Sequence, residues 1–339
     1  ISGVLLKYIA TEIMYPLSIA INNSTLEGQV PNSLKLAKVV PIYKSKDKDN
    51  FSNYRPVSLL PVISKVLEKV IHKRTYKFLN QAAILYTSQY GFREGHSTSH
   101  AISELVSNVL RGYENKEFRL VVFLDLSKAF DTIDHCILLK KLEYYGISGV
   151  ALEWYRSYLS DRHQYVEYNG NTSENMTITC GVPQGSVLGP LLFILYMNDL
   201  TNSIENSNGI LFADDTTNHK SGKDINLLYQ TMNNDLIVIS DWFKANKLSL
   251  NVSKTYYVLF ENRYQRAPEH DNILVLDGIA LNPSNTVKFL GMYLDKDLEW
   301  ESHVKYIESK IASALYIMNR VKHFLPMYAM KLLYYSLVY

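Results

Sequence analysis

The sequence predicts a mixed α/β chain shading into α+β, and three observations carry that prediction. Residues 119–125 (RLVVFLD) form a β-branched, apolar run with the signature of a buried strand. Residues 132–145 follow directly with helical spacing at Ile133, Leu138, Leu139 and Leu142. Residues 225–245 carry a second helical stripe, Leu227, Leu228, Met232, Leu236, Ile239, Trp242 and Phe243, flanked by strand-like runs at 210–213 and 255–260. Helices that alternate with apolar strands imply a sheet covered by helices.

The remaining elements follow from turn chemistry. Residues 1–34 are expected to form a helical N-terminal extension. Ser97-Thr98-Ser99 is a helix start, which accounts for His96 and His100 without a metal, since no third ligand stands at useful spacing. Residues 164–179 alternate around Asn169-Gly170-Asn171 and predict a hairpin. A last hairpin is expected over 273–294, and helical material from 304 to the end. No initiator Met opens the chain at Ile1, and it stops at Tyr339 inside an apolar run, so both ends are expected to be cut edges of a longer polypeptide.

Composition removes several function classes. With 339 residues, 47% of them hydrophobic and 20% charged, the chain can bury a large core and is not a disordered segment. Two cysteines, Cys136 and Cys180, cannot build a disulfide framework or a Cys-rich zinc site, which fits an intracellular setting. The longest apolar run, residues 191–197, is far short of the ~20 residues that span a bilayer, so no membrane partner is expected. The net charge of +2 conceals an uneven distribution: residues 35–77 carry +8, residues 302–331 carry +4, and residues 78–301 carry −9. Basic flanks bracket an acidic centre.

Three carboxylates stand out in that centre, because each is preceded by a strand able to hold it. Asp125 ends the run 119–125, and Asp214-Asp215 follow Ile210-Leu211-Phe212-Ala213. Carboxylates converging from adjacent strands repel one another unless a cation neutralises them, and oxygen donors of this kind suit Mg²⁺. An isolated Asp after a strand is usually a turn residue or helix cap. Between these acids lies Gly181-Val182-Pro183-Gln184-Gly185-Ser186, a Gly/Pro-rich turn that opens into the apolar helix 191–198 and allows close approach of a ligand to backbone.

In the order Asp125, Gln184, Asp214-Asp215, Lys254, the chain resembles the reverse transcriptases of non-LTR retrotransposons, of the LINE type and jockey-like. The matching stretches are Phe123-Leu124-Asp125-Leu126-Ser127-Lys128-Ala129-Phe130-Asp131, Pro183-Gln184-Gly185-Ser186, Phe212-Ala213-Asp214-Asp215, Leu250-Asn251-Val252-Ser253-Lys254-Thr255 and Phe289-Leu290-Gly291. Upstream, Asn53-Tyr54-Arg55-Pro56-Val57-Ser58 and Gln89-Tyr90-Gly91-Phe92-Arg93 extend the resemblance over roughly residues 35–335.

The resemblance implies a right-hand polymerase: fingers over 35–118, a palm over 119–146 and 181–294 with a fingers/palm insertion at 147–180, and a partial helical thumb over 295–339. It implies two Mg²⁺ ions, with Mn²⁺ as a possible substitute, held by Asp125, the Leu126 carbonyl, Asp214 and Asp215. Lys254 is the implied proton donor to pyrophosphate, although a lysine just before a strand is also an ordinary surface residue. Nucleotide contacts fall to Lys44, Arg55, Lys128, Ala129, Phe130, Gln184 and Gly185. Phe130 would stand against the sugar and select dNTPs over ribonucleotides. The partners so implied are an RNA template, a DNA primer and dNTPs, with an endonuclease elsewhere in the parent polyprotein and nuclear action. Three rivals remain: a catalytically silent nucleic-acid-binding relic, against which the intact acids argue; an RNA polymerase, against which Phe130 argues; and a metal-dependent glycosyltransferase, which would need neither the Pro-Gln-Gly-Ser loop nor basic flanks.

Overall fold

A computed structural model describes residues 3–44, 47–264 and 266–338; Ile1 and Tyr339, the expected cut edges, lie outside the described residues. The chain opens with α1 (Gly3–Tyr8) and α2 (Ala10–Glu27), then pairs β1 (Leu36–Tyr43) with β2 (Tyr54–Leu59) and continues through α3 (Val62–Gln81) and α4 (Thr98–Glu114). The strand expected at 119–125 is β3 (Phe118–Leu124), buried at every residue. It leads to α5 (His135–Tyr144), α6 (Val150–Leu159) and the strands β4 (Arg162–Tyr168), β5 (Asn171–Thr172) and β6 (Met176–Ile178). Next come α7 (Gly189–Met197), the hairpin β7 (Asn208–Phe212) and β8 (Asp215–Gly222), α8 (Ile225–Ala245) and β9 (Tyr256–Phe260). The last third holds β10 (Val275–Leu276), β11 (Ile279–Ala280), β12 (Asn282–Pro283), β13 (Thr286–Phe289) and β14 (Met292–Asp295), then α9 (Glu301–Val321) and α10 (Met327–Leu337).

The strands form two large sheets. The central one has the order β12-β9-β3-β8-β7, with β3 antiparallel to both β8 and β9. The other runs β2-β1-β4-β5, with β6 also on β4 and with β1 parallel to β4. Alternate residues of β3 face opposite layers. Leu120, Val122 and Leu124 join the core beneath α5, α7 and α8, whereas Val121 and Phe123 join a smaller core with Leu105 of α4 and with Val287 and Phe289 of β13. Leu120, Val121 and Val122 are each 0% exposed, and full burial of such side chains stabilises by about 2 kcal/mol apiece. This double coverage explains why the run lacks polar alternation and makes its end a fixed point.

Three expectations need adjustment. The helix after β3 starts at His135, not at 132, because Asp134 caps it by accepting from the Ile137 N–H at 3.0 Å while residues 129–131 wind into a 3-10 turn. Leu227, assigned to the buried stripe of α8, is 61% exposed; it lies one position, about 100° of arc, from Leu228, which is buried. The single hairpin expected over 273–294 is two. Asp277-Gly278 and Leu290-Gly291, all at positive φ, make separate two-residue turns, and β12 between them leaves to pair with β9 at the sheet edge, where Pro283 is tolerated. Among the described residues no helix is long and apolar enough to cross a membrane.

Candidate active site

Chain reversal around β3 brings the three predicted carboxylates to one end of the central strands. Asp125 follows directly on β3 and is clamped by main chain: its carbonyl accepts from the Asn251 N–H at 2.8 Å, and the Ser127 N–H donates to the Ser249 carbonyl at 2.9 Å. These two bonds bracket a bridge between Leu126 and Leu250 and leave the Leu126 carbonyl outside them. Asp214 and Asp215 sit on the β7–β8 hairpin, where Phe212 pairs with Asp215 and only Ala213 and Asp214 form the turn. Ala213 takes a left-handed φ of 57°, a conformation that costs a residue with a Cβ about 1–2 kcal/mol and that the surrounding packing must sustain.

The electrostatics match the geometry. Burial, then the charges of Asp214 and Asp125, push the Asp215 carboxyl up to about 6. The side chain of Asp215 keeps solvent access at its rim, so the like charges are the firmer part of that cause. Lys254 lies with Nζ 3.6 Å from Asp125 Oδ2, and the Thr255 hydroxyl accepts from the Asp125 N–H at 3.3 Å. Asp125, Asp215, Lys254, Tyr256, Lys288 and Phe289 line one cleft of about 90 Å³. A larger hollow of about 550 Å³ between α9 and α10, lined by Leu315, Tyr316, Met318, Lys322 and Met330, holds no carboxylate.

Among the described residues no three His, Cys, Asp or Glu side chains stand close enough to cage an ion alone. The donors are nonetheless all oxygen, and the mutual repulsion felt at Asp215 would be relieved by a hard divalent cation. An open site of this kind fits a metal whose remaining ligands are waters and substrate phosphates.

Of the predicted nucleotide residues, Gln184 and Gly185 lie in the loop that meets residues 128–131, the turn that follows Asp125. Gln184 donates through Nε2 to Asp131 Oδ1 at 2.9 Å, and its carbonyl accepts from the Ser58 N–H of β2 at 2.7 Å. Gly185 has φ of +117°, and a Cβ there would stand 2.6 Å from the Ser58 carbonyl, so this position requires glycine. The Phe130 ring is stacked on Phe193 of α7, centroids 4.4 Å apart, and touches Phe92 edge-on at 6.1 Å. Lys128 is exposed at a left-handed φ of 50°. Ala129 is 3% exposed, so its side chain packs in the core and only its main chain is left for a ligand. Arg55 lies exposed on β2 and Lys44 just beyond β1.

Three further side chains support the site without a signal of their own in the sequence. Asp131 holds Gln184; burial pushes its carboxyl up, against the Gln184 hydrogen bond and the Lys128 charge. Glu68 of α3, 1% exposed, accepts from the Val187 and Leu188 N–H groups at 2.6 and 3.2 Å and so caps α7 from outside. Gln89, 0% exposed, accepts from the Gly91 and Ala213 N–H groups. A buried Glu in a helix gives no signal of its partner, and Gln89 was visible only within the Gln-Tyr-Gly-Phe-Arg stretch. Arg93 of that stretch is structural, donating to the Tyr86 carbonyl at 2.6 Å and to that of Gln89 at 3.2 Å.

Comparison with known proteins agrees with this arrangement. A family model described as reverse transcriptase (RNA-dependent DNA polymerase) matches residues 44–294. The chain is 32% identical over 303 residues to the probable RNA-directed DNA polymerase from transposon BS of Drosophila melanogaster, covering 84% of this chain and 32% of that protein. It is 30% identical over 295 residues to the RNA-directed DNA polymerase from mobile element jockey of the same organism, with 84% and 32% covered. The chain thus spans about a third of the length of the curated relatives it matches. Among solved structures, telomerase from Candida albicans in complex with the TWJ fragment of telomeric RNA aligns with a TM-score of 0.54 at 14% identity, over 83% of this chain and 50% of that one. At that identity the likeness concerns the fold, the right-hand polymerase architecture. With the ordered motifs and the central sheet, these matches place the chain in the reverse transcriptase family, among the enzymes of non-LTR retrotransposons.

Proposed function

We propose that this chain is the polymerising part of a retrotransposon polyprotein and extends a DNA primer on an RNA template, using dNTPs and two Mg²⁺ ions, which Mn²⁺ can replace. The observation that carries the proposal is the meeting of Asp125, Asp214 and Asp215 at one end of the central strands, with Lys254 at 3.6 Å from Asp125 and with Gln184 bonded to Asp131, the neighbour of Phe130. Asp125, the Leu126 carbonyl, Asp214 and Asp215 would hold the ions. When bound, such ions supply charge neutralisation at the α-phosphate and favour the ionised primer 3′-hydroxyl.

The protein's own residues do the rest. Arg55 and Lys44 draw the triphosphate toward the cleft, and the fork of Arg55 suits phosphate oxygens. Gln184, Gly185, Lys128 and the Ala129 main chain border the base and sugar. Phe130, fixed between Phe193 and Phe92, has little freedom to retreat from a 2′-hydroxyl, which favours deoxynucleotides. Lys254 is placed to give a proton to departing pyrophosphate. The basic segments 35–77 and 302–331 would grip template and primer phosphates, and binding should weaken steeply with salt.

Primer extension on an RNA template with dNTPs and Mg²⁺, comparing the parent with Asp214→Asn, tests this reading. Extension by the parent that is abolished in the variant, with template affinity unchanged, is the expected result. A parent that binds template and extends nothing at any Mg²⁺ or Mn²⁺ concentration would make the chain a binding relic.

A further inference from the structure

The turn that presents Asp214 is held from behind by a segment to which no role is attached, residues 88–91. Its main chain pairs with β7: the Tyr90 N–H donates to the Leu211 carbonyl at 2.8 Å, and the Leu211 N–H donates to the Ser88 carbonyl at 2.9 Å. Gly91 then passes so close to the turn that a Cβ would fall 2.2 Å from the Ala213 nitrogen and 2.9 Å from the Phe212 carbonyl carbon. The segment is itself anchored to α4, whose Glu104 accepts from the Ser88 and Tyr90 hydroxyls.

At the centre of this brace lies the Gln89 carboxamide, 0% exposed. Its Oε1 accepts from the Gly91 N–H at 2.9 Å and from the Ala213 N–H at 3.3 Å, so one oxygen ties the segment to the residue immediately before Asp214. Its Nε2 is buried with no partner among the described residues. A buried, unpaired amide donor costs free energy that an apolar side chain of similar shape would not. Packing alone would therefore be better served by Met or Leu. What Gln adds is the acceptor oxygen, and that oxygen meets the N–H of a left-handed residue in the turn that carries the metal-facing acids.

We infer that Gln89 is a positioning residue: its side-chain oxygen fixes the Ala213–Asp214 turn and thereby sets the placement of Asp214 and Asp215 for divalent-cation binding. The inference rests on the proposed metal-dependent reading of the site. Groups that orient metal ligands without touching the metal change metal affinity about 10–100-fold when removed.

The test compares the parent chain with Gln89→Met, which keeps volume and removes the acceptor, and Gln89→Glu, which keeps an acceptor oxygen. Mn²⁺ binding is measured by titration, amide exchange at Ala213 by hydrogen–deuterium exchange, and folding by thermal melting. Gln89→Met should weaken Mn²⁺ binding about tenfold and deprotect the Ala213 amide, and Gln89→Glu should restore most of both. In primer extension, Gln89→Met should lower kcat and raise the metal concentration for half-maximal rate, with the KM for dNTP within about twofold of the parent. An Ala213 amide that exchanges freely in the parent would overturn the inference without any variant, as would Mn²⁺ affinity unchanged in a folded Gln89→Met or equal losses in Met and Glu variants. If the parent binds Mn²⁺ and protects Ala213 yet extends no primer, the polymerase reading fails while the positioning role is still decided by exchange and Mn²⁺ affinity.

Discussion

The central sheet and the β2-β1-β4-β5 sheet are built on opposite plans. In the central sheet, β3 is buried on both faces and its last residue delivers Asp125 into a main-chain clamp. In the other sheet one face is open: β2 exposes Arg55 and Leu59 while burying Ser58, and Lys44 lies exposed beyond β1. The difference teaches which of the proposed site residues the fold itself fixes. Asp125 is placed by backbone, whereas Arg55 and Lys44 are carried on an exposed sheet.

The contrast is sharpest at the carboxylates themselves. Asp125→Asn keeps the clamp and removes a charge; primer extension is expected to fall about 10³-fold with melting temperature unchanged or raised, since mutual repulsion is relieved. An effect under tenfold would mean that the central sheet does not set the chemistry. Gly91→Ala probes the support rather than the charge: forcing a Cβ against the Ala213 nitrogen should cost about 3 kcal/mol in denaturant unfolding, and extension should fall with it.

Acid should strike the central sheet before the open one. Burial and the charge of Arg119, whose Nη1 is 2.9 Å from His219 Nδ1, hold the His219 imidazole down at about 3 against an ordinary 6.5. The folded state therefore binds this proton less readily than the unfolded chain. Stability is fully present above pH 6.5 and is lost as pH falls toward 3, by about 2 kcal/mol at pH 5. Denaturation curves of His219→Gln between pH 7 and 5 should show a flatter slope; an identical slope would remove His219 from the account. The smallest effect belongs to the open sheet. Arg55→Ala should raise the KM for dNTP about tenfold, with kcat and melting temperature little changed, because one charge-assisted contact is lost and no packing. A loss confined to kcat would place Arg55 with the carboxylates instead.

How much of this was legible in the sequence depends on the range of the interactions. The strand β3, the helix α8 and the hairpin turn at Asn169-Gly170 follow local pattern and turn chemistry, and they appear where the pattern put them. The Asp-Gly turn at 277–278 is an equally local signal, but the Leu290-Gly291 turn carries no such signature, so the pattern predicts one hairpin where the structure has two. At the site, each acid could be read from the strand before it. Their convergence follows from their place on adjacent core strands; the register that realises it, Leu124 opposite Thr216, exists only in the sheet. Lys254 followed from resemblance alone, and its approach to Asp125 depends on the Leu126–Leu250 bridge. Gln89, Glu68 and Asp131 stayed silent for the same reason: their partners, Ala213, Val187 and Gln184, are remote in the chain, and neither period nor composition encodes such pairs.

The place of β3 in the middle of its sheet also bears on how the chain reaches its native state. Leu120 pairs with Lys220 on one side and with Leu259 on the other, so the strand has both hydrogen-bonding edges unfilled until much later segments have been synthesised. The β1–β4 pairing is of the same kind, joining Ala37 to Gln164. Such topology has high contact order and folds slowly, and an apolar strand awaiting both neighbours is a template for association with other chains. The strand that fixes Asp125 so firmly in the finished protein is thus the one most exposed to misassembly while the protein is being made.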